Sequence, residues 1–180
     1  KTAATATIAS YADLVVQDLA VAPAALLTGE VLHISWRDVN QGALATNSNW
    51  YDRIVVTKGG VEVFSTNVYH NRSAQGDVAA GGSLDRSYDY TIPNGDAGVG
   101  SYVVTVTTDA YGYQYEYNAG GTGETNNSAN SASVSVTLAP YADLQVQNLA
   151  VSSDLQSGDQ VTISWNDFNA GTAVALGSFH

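Results

Sequence analysis

The stretch Tyr11-Ala-Asp-Leu-Val-Val-Gln-Asp-Leu-Ala-Val21 returns as Tyr141-Ala-Asp-Leu-Gln-Val-Gln-Asn-Leu-Ala-Val151, with nine identities in eleven positions at a spacing of 130 residues. In both copies apolar and polar residues alternate and then change register, which predicts a β-strand with a shift of face. The spacing is far longer than the roughly 20 to 50 residues of solenoid repeats. It therefore predicts a tandem array of domain-sized units.

A second block extends the repeat and sets the domain boundaries. Residues 28–36, which end in Ile34-Ser-Trp36, match residues 157–165, which end in Ile163-Ser-Trp165, and residues 38–42 then match 167–171. We therefore expect one complete unit over residues 11–140, the first strands of the next unit over 141–180, and the tail of a preceding unit or a linker over 1–10.

The rest of the complete unit has the pattern of short strands joined by turns. Alternating apolar residues recur between residues 31 and 138, and Gly, Asn and Asp separate these runs. Lys58-Gly-Gly60 between two β-rich runs predicts a hairpin. About seven strands of this kind predict an all-β, immunoglobulin-like antiparallel β-sandwich. Residues 65–83 and 118–130, rich in Asn, Gly, Ser and Ala, are expected to be long loops.

Composition excludes several classes of function. The 180 residues carry a formal charge of −11 and contain no cysteine. Nucleic acid would repel so acidic a chain, and thiolate metal sites, disulfides and cysteine nucleophiles are impossible. The longest apolar run, at residues 20–27, is too short to span a bilayer, so no membrane insertion is expected. The small share of charged residues, 13%, is typical of secreted or cell-surface β-proteins.

Several motifs along the unit occur in a recognisable order. They are Asp13-Leu-Val-Val16, Gly29-Glu-Val31, Val39-Asn-Gln-Gly42, Ala79-Ala-Gly-Gly-Ser83, Ile92-Pro93 and the run from Gly100 to Asp109. This order resembles CARDB modules, the cell-adhesion-related domains of bacterial surface proteins. The resemblance implies an immunoglobulin-like sandwich in a large extracellular bacterial protein, where it acts as a spacer, adhesive array or filament. The N-terminus has no signal-peptide pattern, so we expect an exported chain to be an internal piece of a longer precursor.

The acidic residues suggest a cation site. All six Lys and Arg residues lie in the first 86 positions, whereas the last 94 carry nine carboxylates and no Lys or Arg. One hairpin collects the candidate oxygen ligands, which are Asp109, Glu116, Asn118, Glu124, Asn126 and Asn127. Ca²⁺ takes six to eight oxygens from such groups, so a calcium site is predicted here. The alternative is that these side chains cap turns and stay solvated.

A row of aromatic residues offers a second kind of site. Tyr111, Tyr113, Tyr115 and Tyr117 alternate as if on one face of a strand, and Trp50-Tyr51 would extend their surface. Such rows can stack on sugars, so glycan binding by an enzyme-attached or adhesive module is the alternative function. Cross-strand packing of the same rings is the simpler explanation.

Catalysis has no support in the sequence, so we expect no catalytic residues and no enzyme. The three histidines are scattered, and no nucleophile elbow, zinc-protease motif or phosphate-binding loop occurs. The expected partners are neighbouring repeats, other copies of the chain, and glycans or other surface ligands. Because the strands after residue 141 would leave half a core open, we predict a split sandwich that a neighbouring chain completes.

Overall fold

The structure is a computed structural model that describes residues 9–176. It divides into two compact units, the first ending at Leu138 and the second beginning at Ala139. Most of the predicted tail at residues 1–10 lies outside the described residues, as do positions 177–180. Among the described residues, no helix has the length and hydropathy needed to cross a membrane.

The first unit is built almost entirely from strands. Its described residues form nine of them: β1 (Leu14–Ala22), β2 (Ala25–Leu27), β3 (Val31–Asn40), β4 (Trp50–Lys58), β5 (Val61–His70), β6 (Ser83–Thr91), β7 (Gly100–Thr107), β8 (Ser128–Asn130) and β9 (Val134–Thr137). Two of these, β2 and β8, have only three residues, which leaves the seven longer strands that the sequence predicts. A four-residue helix, α1 (Arg72–Gln75), and a 3-10 helix (Gly95–Gly98) complete the unit.

The strands form two sheets around one core. The first sheet has the order β1-β3-β6, and the second has the order β2-β9-β7-β4-β5 with β8 paired to β7. All pairings are antiparallel except that of β2 with β9. The core contains buried side chains from both sheets, such as Ile34 and Trp36 of β3 and Ile54 and Val104 of the second sheet. The predicted antiparallel sandwich is confirmed.

The predicted shift of face in the first strand is a β-bulge. The pairing of β1 with β3 changes register between Gln17 and Ala20. Asp18, between them, has φ 52°, a left-handed conformation that Asp and Asn tolerate better than most residues. The bulge lets Leu14 on one side of it and Leu19 on the other both turn toward apolar neighbours.

The two predicted loops are shorter than expected. The hairpin at Gly59 and Gly60 is confirmed, with φ 57° and 83°, but the strand after it continues to His70. The prediction of a loop from residue 65 was therefore wrong. β5 lies at the edge of its sheet, and its exposed positions, such as Ser65 and Asn67, carry polar side chains. Its sequence therefore has the polar composition that is usual for a loop. Within 118–130, the last three residues form β8.

The second unit is a two-stranded hairpin. It contains β10 (Leu144–Val151) and β11 (Ile163–Asn169), which pair antiparallel with a register shift between Gln147 and Ala150. Asn148 occupies that shift with φ 54°. Register, bulge and backbone conformation thus repeat those of β1 and β3, as the sequence repeat predicts. The apolar side chains are exposed, and Trp165, which matches the buried Trp36, is 53% exposed.

Candidate functional site

A buried carboxylate, Glu116, lies in the segment that joins β7 to β8. Its side chain is 2% exposed. Glu116 Oε1 accepts a hydrogen bond of 3.0 Å from the Leu14 backbone N–H, and Oε2 accepts one of 2.8 Å from Asn127 Nδ2. One buried side chain in the middle of the loop therefore ties the start of β1 to the end of the loop that precedes β8.

Two more acidic side chains shape this loop by accepting backbone hydrogen bonds. Asp109 has φ 41° and accepts from the backbone N–H groups of Tyr113 and Gln114, both at 2.9 Å. Glu124 Oε1 accepts from the Glu116 N–H at 2.7 Å. These bonds fold residues 109–124 into a compact turn in which three carboxyl groups lie close enough to repel one another.

The other predicted ligands converge on Asp13, which the sequence prediction missed. Asp13 Oδ1 accepts from Asn126 Nδ2 at 2.9 Å, and Oδ2 accepts from Asn118 Nδ2 at 3.1 Å. Asp13 is 5% exposed and lies far from the hairpin in sequence. The repeat carried the signal that could have found it, because Asp143 is identical in the second copy.

Burial raises the pKa values of two carboxyl groups in this loop. Burial raises the pKa of Glu116 to about 8, against the hydrogen bonds from Asn127 and Leu14, and the charges of Asp109 and Glu124 raise it further. Burial also raises the pKa of Asp109 to about 6, although its two backbone hydrogen bonds favour the charged form. The loop therefore binds protons that a cation could replace.

All six predicted ligands lie in the segment between β7 and β8. We call this segment, residues 108–127, the acidic loop; Asp13 packs against it from the start of the chain. Among the described residues, no group of three or more His, Asp and Glu side chains is arranged to hold a metal ion. Two buried amide oxygens, Asn126 Oδ1 and Asn127 Oδ1, lack a hydrogen-bond partner within the described part of the chain. Unpaired oxygens beside crowded carboxylates are the donor set that Ca²⁺ takes. Calcium binding at this loop therefore stays a prediction.

The tyrosine row is not a strand. Residues 111–117 form turns and irregular backbone, with one isolated bridge between Glu116 and Ala12. The expected alternation nevertheless holds, because Tyr111, Tyr113 and Tyr115 are exposed whereas Gln114 and Glu116 are buried. The hydrogen bonds of the buried side chains set this alternation, and not the backbone pairing of a β-sheet.

The rings fall into two clusters. The first comprises Tyr51, Tyr69, Tyr111 and Tyr113, with ring centroids 4.7 to 6.2 Å apart. The second comprises Tyr11, Tyr115 and Tyr117, with centroids 5.2 and 5.8 Å from Tyr11. Sequence analysis missed Tyr69 and Tyr11. The register pair of Tyr69 with Tyr51 becomes visible only once β4 and β5 are aligned.

Trp50 does not extend the tyrosine surface, so that part of the prediction was wrong. Trp50 is 0% exposed, stacks on His70 with ring centroids 3.7 Å apart, and donates from Nε1 to Asp52 Oδ1 at 3.0 Å. It is the first residue of β4, where its ring lies on the inner face of the sheet, opposite that of its exposed neighbours.

A buried ionic group lies next to Trp50. Arg86 Nε is 2.9 Å from Asp52 Oδ2 and 3.6 Å from Asp38 Oδ2, and both aspartates are fully buried. Trp36 Nε1 donates to Asp38 Oδ1 at 3.1 Å, which mirrors the bond between Trp50 and Asp52. The sequence signal is a Trp-x-Asp pattern that occurs at residues 36–38 and again at 50–52.

Comparisons with known proteins bear on the fold. No family model matches the chain, and no curated protein matches it. The crystal structure of a CARDB domain from a Pyrococcus furiosus protein, described as a complex with di-metal ions, matches with a TM-score of 0.52 and 20% identity over 74% of this chain and all of that domain. The solution structure of the same domain gives 0.48 and 19%, over 73% of this chain and all of that one. At this identity the likeness shows the fold, and the chain has the immunoglobulin-like β-sandwich of CARDB domains.

Proposed function

We propose that the chain is a structural and adhesive repeat module of a large extracellular bacterial protein, a surface array or a filament. The observation that carries the proposal is that one hairpin is built twice. In both copies an asparagine, Asn40 or Asn169, accepts from the backbone N–H groups of an aspartate and a glycine at 2.9 to 3.1 Å. A detail reproduced at this level is expected of units that share one role.

The surface supports an extracellular location. Charged residues make up 13% of the chain, and hydroxyl and amide groups cover much of the outer sheet face, as in the pair of Thr105 Oγ1 with Asn130 Oδ1 at 2.7 Å. Such surfaces are typical of secreted β-proteins. Labelling of intact cells with an antibody to this unit tests the location. Labelling that appears only after the cells are permeabilised would overturn it.

Calcium is proposed to stabilise the module at the acidic loop. Asp109, Glu116 and Glu124 would supply carboxylate oxygens, with Asn118, Asn126 and Asn127 supplying amide oxygens. A bound divalent ion would neutralise carboxylates whose charged forms burial now disfavours. The similar CARDB domain from Pyrococcus furiosus is described as a complex with di-metal ions, which supports a metal on this fold.

A thermal melt tests the calcium proposal. At a calcium concentration a hundredfold above Kd we expect stabilisation of about 2.7 kcal/mol, and so a rise in Tm of about 5 to 10 °C over the chelated protein. Glu124→Gln should abolish most of this rise, whereas Glu62→Gln, on the exposed side of β5, should keep it. No change in Tm, together with no metal by elemental analysis, would remove calcium from the proposal.

Assembly between chains is part of the same proposal. Seven apolar side chains of the second unit that correspond to buried or partly buried core residues of the first are 45 to 66% exposed: Leu144, Val146, Leu149, Val151, Val161, Ile163 and Trp165. A two-stranded hairpin that exposes such a face is marginally stable by itself. We propose that a neighbouring copy covers it, so that two chains complete a split sandwich.

Glycan binding is a second candidate function, and the module is proposed to be non-catalytic in either case. The exposed tyrosines favour it, because Tyr113 and Tyr115 leave 57% and 61% of their surface to solvent. Protein surfaces that present large rings in this way are often interaction sites. A glycan array probed with the whole chain tests this candidate, and an array without hits would reject it.

A further inference from the structure

The two tyrosine clusters follow one another along a single segment of chain. Tyr111 and Tyr113 belong to the first cluster and Tyr115 and Tyr117 to the second, so residues 111–117 connect them. This connecting segment is folded into turns and irregular backbone, so a short loop and not an extended strand joins the two clusters. We call the seven rings of the two clusters the tyrosine band. It contains seven of the eleven tyrosines of the chain.

Buried hydrogen bonds hold the band rigidly. Gln114 Oε1 accepts from the backbone N–H groups of Asn47 and Ser48 at 2.7 and 3.2 Å. Glu116 accepts from Leu14 in the same way two residues further on. Because these anchors alternate with the exposed tyrosines, the rings are already positioned before a ligand arrives. Preorganisation of this kind lowers the entropy lost on binding.

Polar groups accompany the rings at both ends of the band. In the first cluster, the Tyr111 hydroxyl donates to Asn67 Oδ1 at 3.2 Å, and Arg53 pairs with Asn67 across the sheet. Beside the second cluster lies a cavity of about 330 Å³, lined by Tyr11 and Tyr117, with Gln41, Asn118 and Asp13 among its other residues. Rings flanked by amide, carboxylate and guanidinium groups suit a ligand that is apolar on its faces and hydroxylated at its edges.

Ring orientation and charge narrow the ligand class further. Tyr51 meets Tyr111 and Tyr113 at interplanar angles of 80° and 61°, so the first cluster is a corner and not a plane. A corner fits one sugar chain better than the flat surface of a crystalline polymer. The net charge of −11 repels uronic and sulfated glycans.

From these observations we infer that the tyrosine band binds a single soluble chain of a neutral polysaccharide built from equatorially substituted hexopyranoses. The pyranose rings stack their C–H faces on the tyrosines, and their hydroxyl groups hydrogen-bond to the polar side chains beside them. The inference rests on the second candidate function, glycan binding, and adds to it the site and the class of sugar.

Affinity electrophoresis of the whole chain in gels that contain hydroxyethyl cellulose, soluble galactomannan or alginate tests the inference. The two neutral polymers should retard the protein, and the polyanion alginate should not. Tyr113→Ala and Tyr115→Ala, one from each cluster, should each weaken binding about three- to tenfold, as expected for the loss of one stacking contact. Tyr113→Phe, which keeps the ring, and Val61→Ala, an exposed apolar residue on β5, should bind as the unaltered chain does.

The outcomes separate the site from the function. If the unaltered chain binds a neutral polymer and both tyrosine variants bind equally well, the tyrosine band is not the site, although glycan binding stands. If neither neutral polymer retards the chain, the inference fails, whereas glycan binding in general is rejected only by a glycan array without hits. If the tyrosine variants change only the oligomeric state in light scattering, the band is an interface between copies and the inference is overturned.

Discussion

At the scale of single residues, the core of the first unit holds one cation for two acids. Arg86 contacts Asp52 at 2.9 Å and Asp38 at 3.6 Å, and each aspartate also accepts from a tryptophan. Burial raises the pKa of Asp38 well above its usual range, and the neighbouring Asp52 raises it further, against the opposing effect of Arg86. Two buried carboxylates cannot both be neutralised by one guanidinium, so Asp38 keeps its proton far above pH 4.

This proton makes stability depend on pH. The folded state holds the Asp38 proton more tightly than the unfolded chain, so Asp38 contributes stability below its ordinary pKa of about 4 and loses that contribution as pH rises toward its raised value. Asp38→Asn, which mimics the protonated acid, should therefore flatten the fall in unfolding free energy above pH 4. Denaturant titrations of both proteins from pH 4.5 to 8.5 measure the difference.

Comparing the unaltered chain with Asp38→Asn cancels the contributions of the other titrating groups to the pH dependence of stability. His70 acts in the opposite sense, because burial and then Arg86 lower its pKa, so its contribution is lost as pH falls below its usual range. His70 is present in both proteins and its effect largely cancels. Equal pH dependence of the unaltered chain and Asp38→Asn would show that Asp38 titrates normally.

At the scale of elements, the turn after β3 explains why the sequence repeats where it does. Asn40 accepts from the Asp13 and Gly42 N–H groups and donates to the carbonyls of Leu44 and Val78. The backbone of residues 11–13 packs directly on Gly42. These contacts need an asparagine, a glycine and an extended partner, so the residues that make them recur in both copies.

Gly42 leaves no space for a side chain. A Cβ atom there would lie 2.6 Å from the Asp13 nitrogen and closer still to the Tyr11 carbonyl oxygen, both backbone atoms that cannot move aside. Gly42→Ala should therefore reduce the unfolding free energy by about 1 to 3 kcal/mol, as overpacking does. Denaturant unfolding checks this value.

The matched control lies in the acidic loop. A Cβ atom at Gly120 would meet only side-chain atoms, at 3.4 Å or more, so Gly120→Ala should change the unfolding free energy by less than about 0.5 kcal/mol. Equal effects of the two substitutions would mean that the close approach at Gly42 carries no strain.

Strands could be predicted where the alternation of apolar residues and the internal sequence repeat indicated the same element. They were harder to predict where tertiary contacts determine the backbone conformation. The alternation in β3 and the shift of face in β1 could be predicted because every second side chain enters the core. The end of β5 could not, because an edge strand shows polar residues to solvent as a loop does. In the acidic loop, six residues could be named from the sequence, but Asp13 joins them through a pairing more than 100 residues away.

At the scale of the whole molecule, the same pair of strands buries its apolar face in the first unit and exposes it in the second. Trp36 is 1% exposed against the second sheet of the first unit, whereas Trp165 in the second unit is 53% exposed. Each large side chain buried from water contributes about 1.5 to 3 kcal/mol. A face with several such side chains would gain free energy from association, which is the physical basis of the proposed complex between copies.

Self-association should consequently depend on Trp165. We expect the chain to form dimers or larger species at micromolar concentration, and Trp165→Asp to shift it to monomers without changing the melting of the first unit. Light scattering coupled to size exclusion measures both proteins, with Val61→Asp, another exposed apolar position, as the control. A chain that stays monomeric at all concentrations would contradict assembly through this face.

Among the described strands of the first unit, the one parallel strand pair has a mechanical consequence. β2 and β9 run in the same direction and pair over three residues, from Ala25 with Ser135 to Leu27 with Thr137. A pull on the chain before β2 and after β9 acts in opposite directions along the two strands. It would load their backbone hydrogen bonds together in shear, so that they resist as a group instead of opening one by one. Shear loading of this pair would suit the tension that the proposed adhesive role implies.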